Sequence, residues 1–389
     1  MHDEDNPKPG KGLRLPQNNL PATLNTSKKL VQHLKTALAK SSRELAEDDG
    51  WVERLIRGLE AGIDECTVIS AVIKTANGEE ELDHLPQDKE TWLALIRLQF
   101  SVDLWEGDPG LRILPAEIGK LHNLQELDLG GNQLTTLPAA ITQLQNLQSL
   151  DLGGNQLTTL PAEIGQLHHL QYLNLSRNKL TTLPAAITQL HNLQSLSLDN
   201  NQFTTLPAAI TQLPNLQTLS LSYNQFTTLP AEIGQLHNLQ ELDLSGNQLT
   251  TLPAAIGQLQ NLQGLVLSSN QLTTLPAAIG QLHNLQSLVL SENQLTTLPA
   301  AIFQLHHLQY LFLSENQLTT LPAETGQLQN LEWLILTGNP LRSLPASLKR
   351  LYRERNGALR ILLNDKSLLE EDDDDDNDFF FSDDDDIPF

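Results

Sequence analysis

The sequence of 389 residues contains one cysteine, Cys66, and only 24 basic residues against 47 acidic ones. A single thiol excludes a disulfide within the chain and a cysteine-based zinc site. The net charge of −23 disfavours binding of nucleic-acid phosphates by the surface as a whole. No run of 18 apolar residues is present, so we expect no membrane span, and residues 1–19 lack the apolar stretch of a secretory signal. These absences predict a soluble protein of a reducing compartment, the cytoplasm.

The acidic charge is concentrated at one end of the sequence. Residues 1–106 carry 19 acids and 13 bases, residues 107–369 carry 16 acids and 11 bases, and residues 370–389 carry 12 acids and no base. More than half of the net charge therefore lies in the last of these segments. Its composition predicts a disordered acidic tail over residues 370–389.

A repeat of 23 residues fills the middle of the chain, and the segment from Leu229 reads LPAEIGQLHNLQELDLSGNQLTT. Each copy places the pattern L-x-x-L-x-L-x-x ahead of an asparagine. The asparagine column consists of Asn132, Asn155, Asn178, Asn201, Asn224, Asn247, Asn270, Asn293, Asn316 and Asn339. An asparagine amide can bond backbone groups where the chain leaves a strand, so we interpret this column as a structural ladder.

The repeat resembles the leucine-rich repeat family over residues 107–345. Independently of that resemblance, leucines in L-x-L alternate faces as in a short strand with one buried face. The prolines before I-x-x-L fix φ and favour a short helical turn on the outer side. Because that side is wider than a strand, the stack must curve. The sequence predicts an α/β solenoid, a curved horseshoe with a concave parallel β-sheet.

The regions outside the repeats are predicted to cap the solenoid, except for residues 1–26, which we expect to be disordered. Residues 27–106 are interpreted as a small helical domain, whose third helix is predicted around Trp92, Leu95, Ile96 and Phe100. Residues 346–369 are predicted to form a C-terminal cap. Seven basic residues lie in this cap or just before it: Arg342, Lys349, Arg350, Arg353, Arg355, Arg360 and Lys366. They form either a solvated capping helix or a patch for an acidic group, such as this protein's own tail.

No catalytic or metal-binding arrangement is predicted. Histidines recur in one column of the repeats, but glutamine or proline interrupts it and no carboxylate column accompanies it. We interpret these histidines as loop residues and Cys66 as a core thiol. We therefore expect no cofactor, no metal and no enzyme activity.

The residues between the strand leucines are predicted to face the concave groove. The groove begins with acids such as Glu126 and Asp128 and becomes apolar and aromatic toward its C-terminal end. The predicted partner-binding surface consists of Tyr172, Tyr223, Val266, Val289, Tyr310, Phe312, Trp333 and Ile335. Exposed apolar clusters with tryptophan and tyrosine are typical of protein interfaces. The alternative is that the C-terminal cap folds over these residues.

The half-repeat L-P-x-x-I-x-x-L resembles intracellular leucine-rich scaffolds, including Ras-associated ones, and bacterial proteins of the same repeat class. That resemblance implies protein recognition without naming a partner. We expect a monomer that acts as a non-enzymatic adaptor.

The last residues of the sequence, DDDDIPF, resemble the acidic tip of bacterial single-stranded-DNA-binding proteins, which docks onto replication, recombination and repair enzymes. The resemblance implies docking through Asp383, Asp384, Asp385, Asp386, Ile387, Pro388 and Phe389. Phe389 could fill an apolar pocket while its carboxylate meets a basic side chain. The alternative is a leucine-rich-repeat effector or signalling scaffold whose tail only solubilises the protein.

Overall fold

The computed structural model describes residues 97–99, 111–114 and 116–369. The chain divides into two compact units, Met1–Asn247 and Gln248–Phe389. The predictions made for residues 1–96, Cys66 included, and for the acidic tail lie outside the described residues.

Within the described residues, each unit contains short parallel strands that pair in the order in which they occur along the chain. The strands of the first unit are β1 (Arg97–Gln99), β2 (Glu126–Asp128), β3 (Ser149–Asp151), β4 (Tyr172–Asn174), β5 (Ser195–Ser197), β6 (Thr218–Ser220) and β7 (Glu241–Asp243). Those of the second are β8 (Gly264–Val266), β9 (Ser287–Val289), β10 (Tyr310–Phe312), β11 (Trp333–Ile335) and β12 (Arg360–Leu362).

Each strand of three residues buries its middle side chain, as Leu127 does in β2 and Leu288 in β9. The first and third side chains point to the opposite face, because successive residues of a strand alternate between faces. We call this opposite face the strand face of each unit. Equivalent residues pair in register, for example Leu127 with Leu150, so every leucine column stacks without a slip.

A 3-10 helix follows each proline of the repeat on the other side of the coil. Pro138 has a φ of −67° and precedes Ala139–Gln143, whose Ile141 is fully buried. The 3-10 helices are Ala116–Lys120, Ala139–Gln143, Ala162–Gln166, Ala185–Gln189, Ile210–Gln212, Ala231–Gln235, Ala254–Gln258, Ala277–Gln281, Ala300–Gln304, Ala323–Gln327 and Lys366–Leu369. The predicted fold class, a leucine-rich-repeat solenoid built on a parallel sheet, is confirmed.

One local prediction is wrong. Residues 97–99, inside the third predicted helix, form strand β1, in which Leu98 is buried and pairs with Leu127 of β2. The apolar spacing there also fits the strand pattern, since Leu95, Leu98 and Phe100 read L-x-x-L-x-F. A search at the 23-residue period of the repeat does not find this match, because Arg97 lies 29 residues before its partner Glu126.

The C-terminal cap contains one α-helix and the last strand. Helix α1 (Ala346–Glu354) takes the place of a 3-10 helix and buries Leu348 and Leu351. Strand β12 then pairs with β11 and extends the sheet. Among the described residues, no helix is long and apolar enough to cross a membrane.

Candidate functional site

The strand face of the second unit is lined by apolar and aromatic side chains. Val266, Val289, Phe312 and Ile335 occupy the third positions of β8 to β11, and Tyr310 and Trp333 occupy the first positions of β10 and β11. All of these except Phe312 are partly exposed. In strands β2 to β7 of the first unit the same positions hold acids, serine, threonine and asparagine, with Tyr172 as the one aromatic side chain. The second unit therefore presents a contiguous apolar surface where the repeat itself does not require one.

Phe312 was predicted to contact a partner, but only 7% of it is exposed. Its ring meets that of Tyr310 edge to face, with centroids 6.4 Å apart and planes at 75°. Phe312 therefore packs against the ring of Tyr310. The more exposed residues around Phe312 are the ones that can contact a partner. Strand alternation told us which face Phe312 points to, but not how deeply its neighbours bury it.

Tyr310 is held by an acid at the edge of the same surface. Its hydroxyl donates to Oε2 of Glu332 at 3.3 Å. The negative charge of Glu332 raises the pKa of Tyr310 above its ordinary value, and burial adds to the effect. Because its one proton is donated to Glu332, the neutral hydroxyl of Tyr310 can offer a partner its oxygen as an acceptor.

Trp333 is flanked by Arg360, which the sequence analysis did not place near it. Strand β12 pairs Arg360 with Trp333, and the guanidinium carbon lies 4.8 Å from the centre of the indole ring. This geometry is a cation–π contact that fixes the indole and places a positive charge at the end of the apolar surface. Ile361 and Leu363 show the alternation of the repeat strands, which is the signal that could have revealed β12.

In the part of the chain that the structure describes, the C-terminal cap does not fold over the apolar residues. Strand β12 lies beside β11 in the plane of the sheet, with Leu362 opposite Ile335. Helix α1 packs against the 3-10 helix Ala323–Gln327, away from the strand face. The described part of the cap therefore leaves the apolar surface open except where Arg360 stacks on Trp333.

The strand face of the first unit is acidic, but most of its acids hold turns. Asp128, Asp151 and Asp243 each accept a bond from the backbone N–H two residues later, at 2.8–2.9 Å. Asn174 donates to both oxygens of Asp151. Tyr172, 37% exposed, lies among these groups, and burial together with the charge of Asp151 raises its pKa.

Asp199 plays the same role from a different position. It lies two residues after β5, where other repeats carry glycine, serine or threonine, and it accepts bonds from the hydroxyls of Ser197, Ser220 and Ser222. It also accepts the backbone N–H of Ser222 at 2.9 Å. The sequence carries a signal for this change, since Ser197 stands where the three preceding repeats have Asp or Asn and Asp199 stands where they have Gly or Ser.

Tyr223 was predicted to lie on the strand, and the structure places it three residues beyond β6. It belongs to a column of residues that directly precede the ladder asparagines and have φ between 50° and 73°. The column consists of Gly131, Gly154, Arg177, Asn200, Tyr223, Gly246, Ser269, Glu292, Glu315 and Gly338. Tyr223 is 60% exposed, so this left-handed position presents it at the edge of the strand face.

The ladder asparagines are buried and bond the backbone of two coils at once. In Asn224, Nδ2 donates to the carbonyls of Leu198 at 3.0 Å and Leu221 at 3.1 Å, while Oδ1 accepts the N–H of Phe203 at 3.0 Å. Corresponding bonds recur in the other ladder positions, as in Asn155, Asn293 and Asn339. The column links neighbouring repeats through groups that would otherwise be unpaired.

A second asparagine column lies on the opposite side of the strands and was missed in the sequence. Asn146 donates to the carbonyl of His122 at 2.8 Å, and Asn192 donates to that of His168 at 2.7 Å. The column histidines His122, His168, His191, His237, His283 and His306 are all exposed. In the part of the chain that is described, no group of three or more potential ligands could hold a metal ion.

The residues predicted for tail docking, 383–389, lie outside the described residues. The structure brings together Val266, Val289, Tyr310, Trp333 and Ile335, whereas Tyr172 and Tyr223 belong to the first unit.

Models of leucine-rich repeat families match much of this chain. A leucine-rich repeat region model matches residues 160–243 and 215–292, a leucine rich repeat model matches 283–341, and a model of two such repeats matches 122–164. Together these matches extend over residues 122–341, which is more than half of the chain. The chain belongs to the leucine-rich repeat family. The search of curated proteins found no match.

Solved structures of leucine-rich repeat proteins from bacteria and plants resemble the chain. A leucine-rich repeat protein of Leptospira interrogans is 35% identical, with 74% of this chain and 92% of that one covered and a TM-score of 0.42. The ectodomain of the Arabidopsis thaliana receptor kinase GASSHO1/SCHENGEN3, solved with CASPARIAN STRIP INTEGRITY FACTOR 2, is 38% identical over 61% of this chain and 30% of that one, with a TM-score of 0.55. An internalin of Listeria monocytogenes, at 19% identity and a TM-score of 0.57, covers 77% of this chain and 91% of its own and shares the fold.

Proposed function

We propose that this leucine-rich repeat protein is a non-enzymatic adaptor that binds a protein segment on the strand face of its second unit. The observation that carries the proposal is the contiguous row of Val266, Val289, Tyr310, Trp333 and Ile335 at open strand positions. Aromatic anchors within an apolar surface commonly dominate the binding free energy of protein interfaces. The Arabidopsis receptor kinase, solved in complex with CASPARIAN STRIP INTEGRITY FACTOR 2, supports the proposal as an example of this repeat class bound to another protein.

The chemistry of the surface specifies the kind of segment that fits. Its centre is apolar, and the exposed acids Glu292 and Glu315 lie at one edge, in the left-handed column. Arg360 adds a positive charge beside Trp333 at the C-terminal end of the surface. We therefore expect an extended segment with aliphatic or aromatic side chains, basic residues facing Glu292 and Glu315, and an acidic group near Arg360.

The test uses peptides selected on the intact protein. Random peptides of about twelve residues would be displayed on phage and selected on the wild-type protein, because an extended peptide of that length spans all five strands of the unit. The same peptides would then be tested on a V266S/V289S/W333S variant. These serines already occur at the corresponding strand positions, in Ser197, Ser220 and Ser287, so the repeat tolerates them.

We expect the selected peptides to be rich in apolar and basic residues and not to bind the triple variant. A matched S149A/S195A/T218A variant changes three open strand positions of the first unit and should retain them. Peptides that bind both variants equally well would place the binding site elsewhere and contradict the proposal.

The proposal has a second part, which concerns the segment Asp383–Phe389. It would dock onto enzymes that recognise the single-stranded-DNA-binding protein tip, as the residues DDDDIPF suggest. A peptide of residues 378–389 with a free carboxylate at Phe389 is expected to bind such an enzyme with about micromolar affinity, roughly −8 kcal/mol. The same peptide without Phe389, or with a terminal amide, should bind at least about tenfold more weakly, because the carboxylate loses its basic partner. Equal binding of all three peptides would contradict docking through Phe389, and no binding by any of them would favour a tail that only solubilises the protein.

A further inference from the structure

The C-terminal cap has a charge opposite to that of the segment that follows it. Residues 340–369, which are the cap and the six residues before it, contain seven bases and only two acids, Glu354 and Asp365. Residues 370–389 contain 12 acids and no base. A basic segment and the most acidic segment of the chain are therefore adjacent in sequence.

Helix α1 presents part of this positive charge on its outer side. Leu348 and Leu351 are buried, whereas Arg350 and Arg353 are exposed. These two arginines, with Ala346, Ser347 and Glu354, line an open cavity of about 520 Å³. Lys349 directly precedes Arg350 on the same helix and is partly exposed. Two guanidinium groups beside a concave surface can bind carboxylates through paired N–H donors.

The acid on this helix does not neutralise the surface. Arg350 Nε lies 3.8 Å from Oε1 of Glu354, and both side chains are more than half exposed. An exposed pair of this kind contributes little and is screened by solvent. The helix therefore keeps a net positive charge on its outer side.

Arg355 differs from these arginines and is excluded from the surface. Its guanidinium donates to the backbone carbonyl of Gln329 at 3.0 Å and also to that of Leu331. Its Nε is buried and has no acceptor among the described residues. Arg355 thus fastens the end of α1 to the preceding repeat, and substituting it would disturb the fold rather than a binding surface.

The acidic segment is long enough to reach α1. Fifteen residue steps join Glu354 to Leu369, so these residues cannot be more than about 54 Å apart. The twenty residues of the segment can extend to about 70 Å. The segment therefore reaches Arg350 and Arg353 whatever path it takes from Leu369.

We propose that the acidic segment 370–389 docks on the basic face of α1 formed by Lys349, Arg350 and Arg353 of the same chain. Attraction between the two segments is favoured by their effective concentration, because they are covalently linked. The docked segment would shield this face from other acidic groups. A solvated helix without this contact, and docking between two copies, are the outcomes that the experiment separates.

The experiment is zero-length crosslinking of the full-length protein followed by peptide mass spectrometry. A carbodiimide activates a carboxylate, and a lysine amine that touches it forms an amide with net loss of water. The expected product joins Lys349 to an acid of residues 370–389. Raising sodium chloride from about 50 mM to about 500 mM shortens the screening length from roughly 14 Å to about 4 Å and should lower its yield about fivefold.

Charge variants provide the controls. R350E/R353E should lower the yield of this product by a similar factor, whereas R177E/K179E, an equal charge change in the first unit, should not. A second variant replaces Asp372 to Asp376, which lie outside the described residues, by Asn. Other acids of the segment can still react, but the yield of the product should be lower. This variant keeps the test valid if R350E/R353E fails to fold.

A mixture of nitrogen-15-labelled and unlabelled protein identifies the partner. Products that join only peptides of the same isotope support docking within one chain. Mixed-isotope products would assign the contact to a second copy and overturn the proposal. Absence of the Lys349 product, or a product that persists in high salt and in both the R350E/R353E and Asn variants, would also overturn it.

Discussion

The ring of Tyr223 lies against Gly246, so closely that a β-carbon at position 246 would be 2.7 Å from Cδ1 of the tyrosine. The two residues occupy the same left-handed column in successive repeats, with φ of 50° and 63°. Gly246 therefore satisfies two requirements, since it tolerates the backbone angle and leaves room for the exposed ring. The relationship shows how one repeat can present a large side chain only because its neighbour has none.

This pair predicts a coupled effect on stability. Gly246→Ala is expected to lower the free energy of unfolding by about 1–3 kcal/mol, from the left-handed backbone and the clash together. In a Tyr223→Ala background the clash is gone, so the same change should cost less. Urea unfolding of the two single variants and the double variant measures the coupling. Strictly additive effects would show that the ring does not constrain position 246.

The asparagine ladder predicts a large loss from one buried amide. Asn224→Leu removes the acceptor of the Phe203 N–H and the donor to the Leu198 and Leu221 carbonyls. Each buried group left unpaired costs about 1–3 kcal/mol, so thermal unfolding should shift clearly downward.

Asn238 provides the matched control for that variant. It lies at the position of Asn146 and Asn192 in the second asparagine column, is exposed, and donates to the carbonyl of Pro214. Asn238→Leu should have a much smaller effect, because water can replace the lost partner. Similar melting temperatures for Asn224→Leu and the wild-type protein would contradict the ladder interpretation.

Glu332 predicts a pH effect on Tyr310. Because the charge of Glu332 raises the pKa of Tyr310, Glu332→Gln should lower that pKa toward its ordinary value of about 10. In the wild-type protein the unfolded chain loses this proton before the folded one, so the contribution of Tyr310 to stability falls as pH rises through that value. The variant should show less of this loss. Ultraviolet titration of tyrosinate measures the shift.

Tyr172 serves as the internal reference in the same titration. Its pKa is raised by burial and by acids of the first unit, none of which changes in Glu332→Gln. A titration curve identical to that of the wild-type protein would mean that Glu332 does not act on Tyr310.

The repeat, its strands and its outer turns could be predicted because they follow from local spacing. The leucine alternation and the proline before each 3-10 helix carry that information in every copy. Strand β1 was missed because its helical and strand patterns coincide over a few residues, and tertiary pairing with β2 decided between them.

The details of the candidate surface were less predictable from the sequence. Alternation showed that Phe312 points to the strand face but could not show that its surroundings bury it. The contact of Arg360 with Trp333 joins residues of different coils outside the regular period, so no spacing rule connects them. The turn-holding role of Asp199 likewise depends on serines of two coils.

The affinity of a selected peptide for the strand-face variants tests the central claim most directly. Fluorescence anisotropy would compare the wild-type protein with V266S/V289S/W333S and with S149A/S195A/T218A. Loss of a tryptophan anchor alone typically costs about 2 kcal/mol or more, which is about thirtyfold in affinity. We predict at least that loss for the first variant and less than about twofold change for the second. Equal affinities of both variants would contradict the assignment of protein binding to the second unit's strand face.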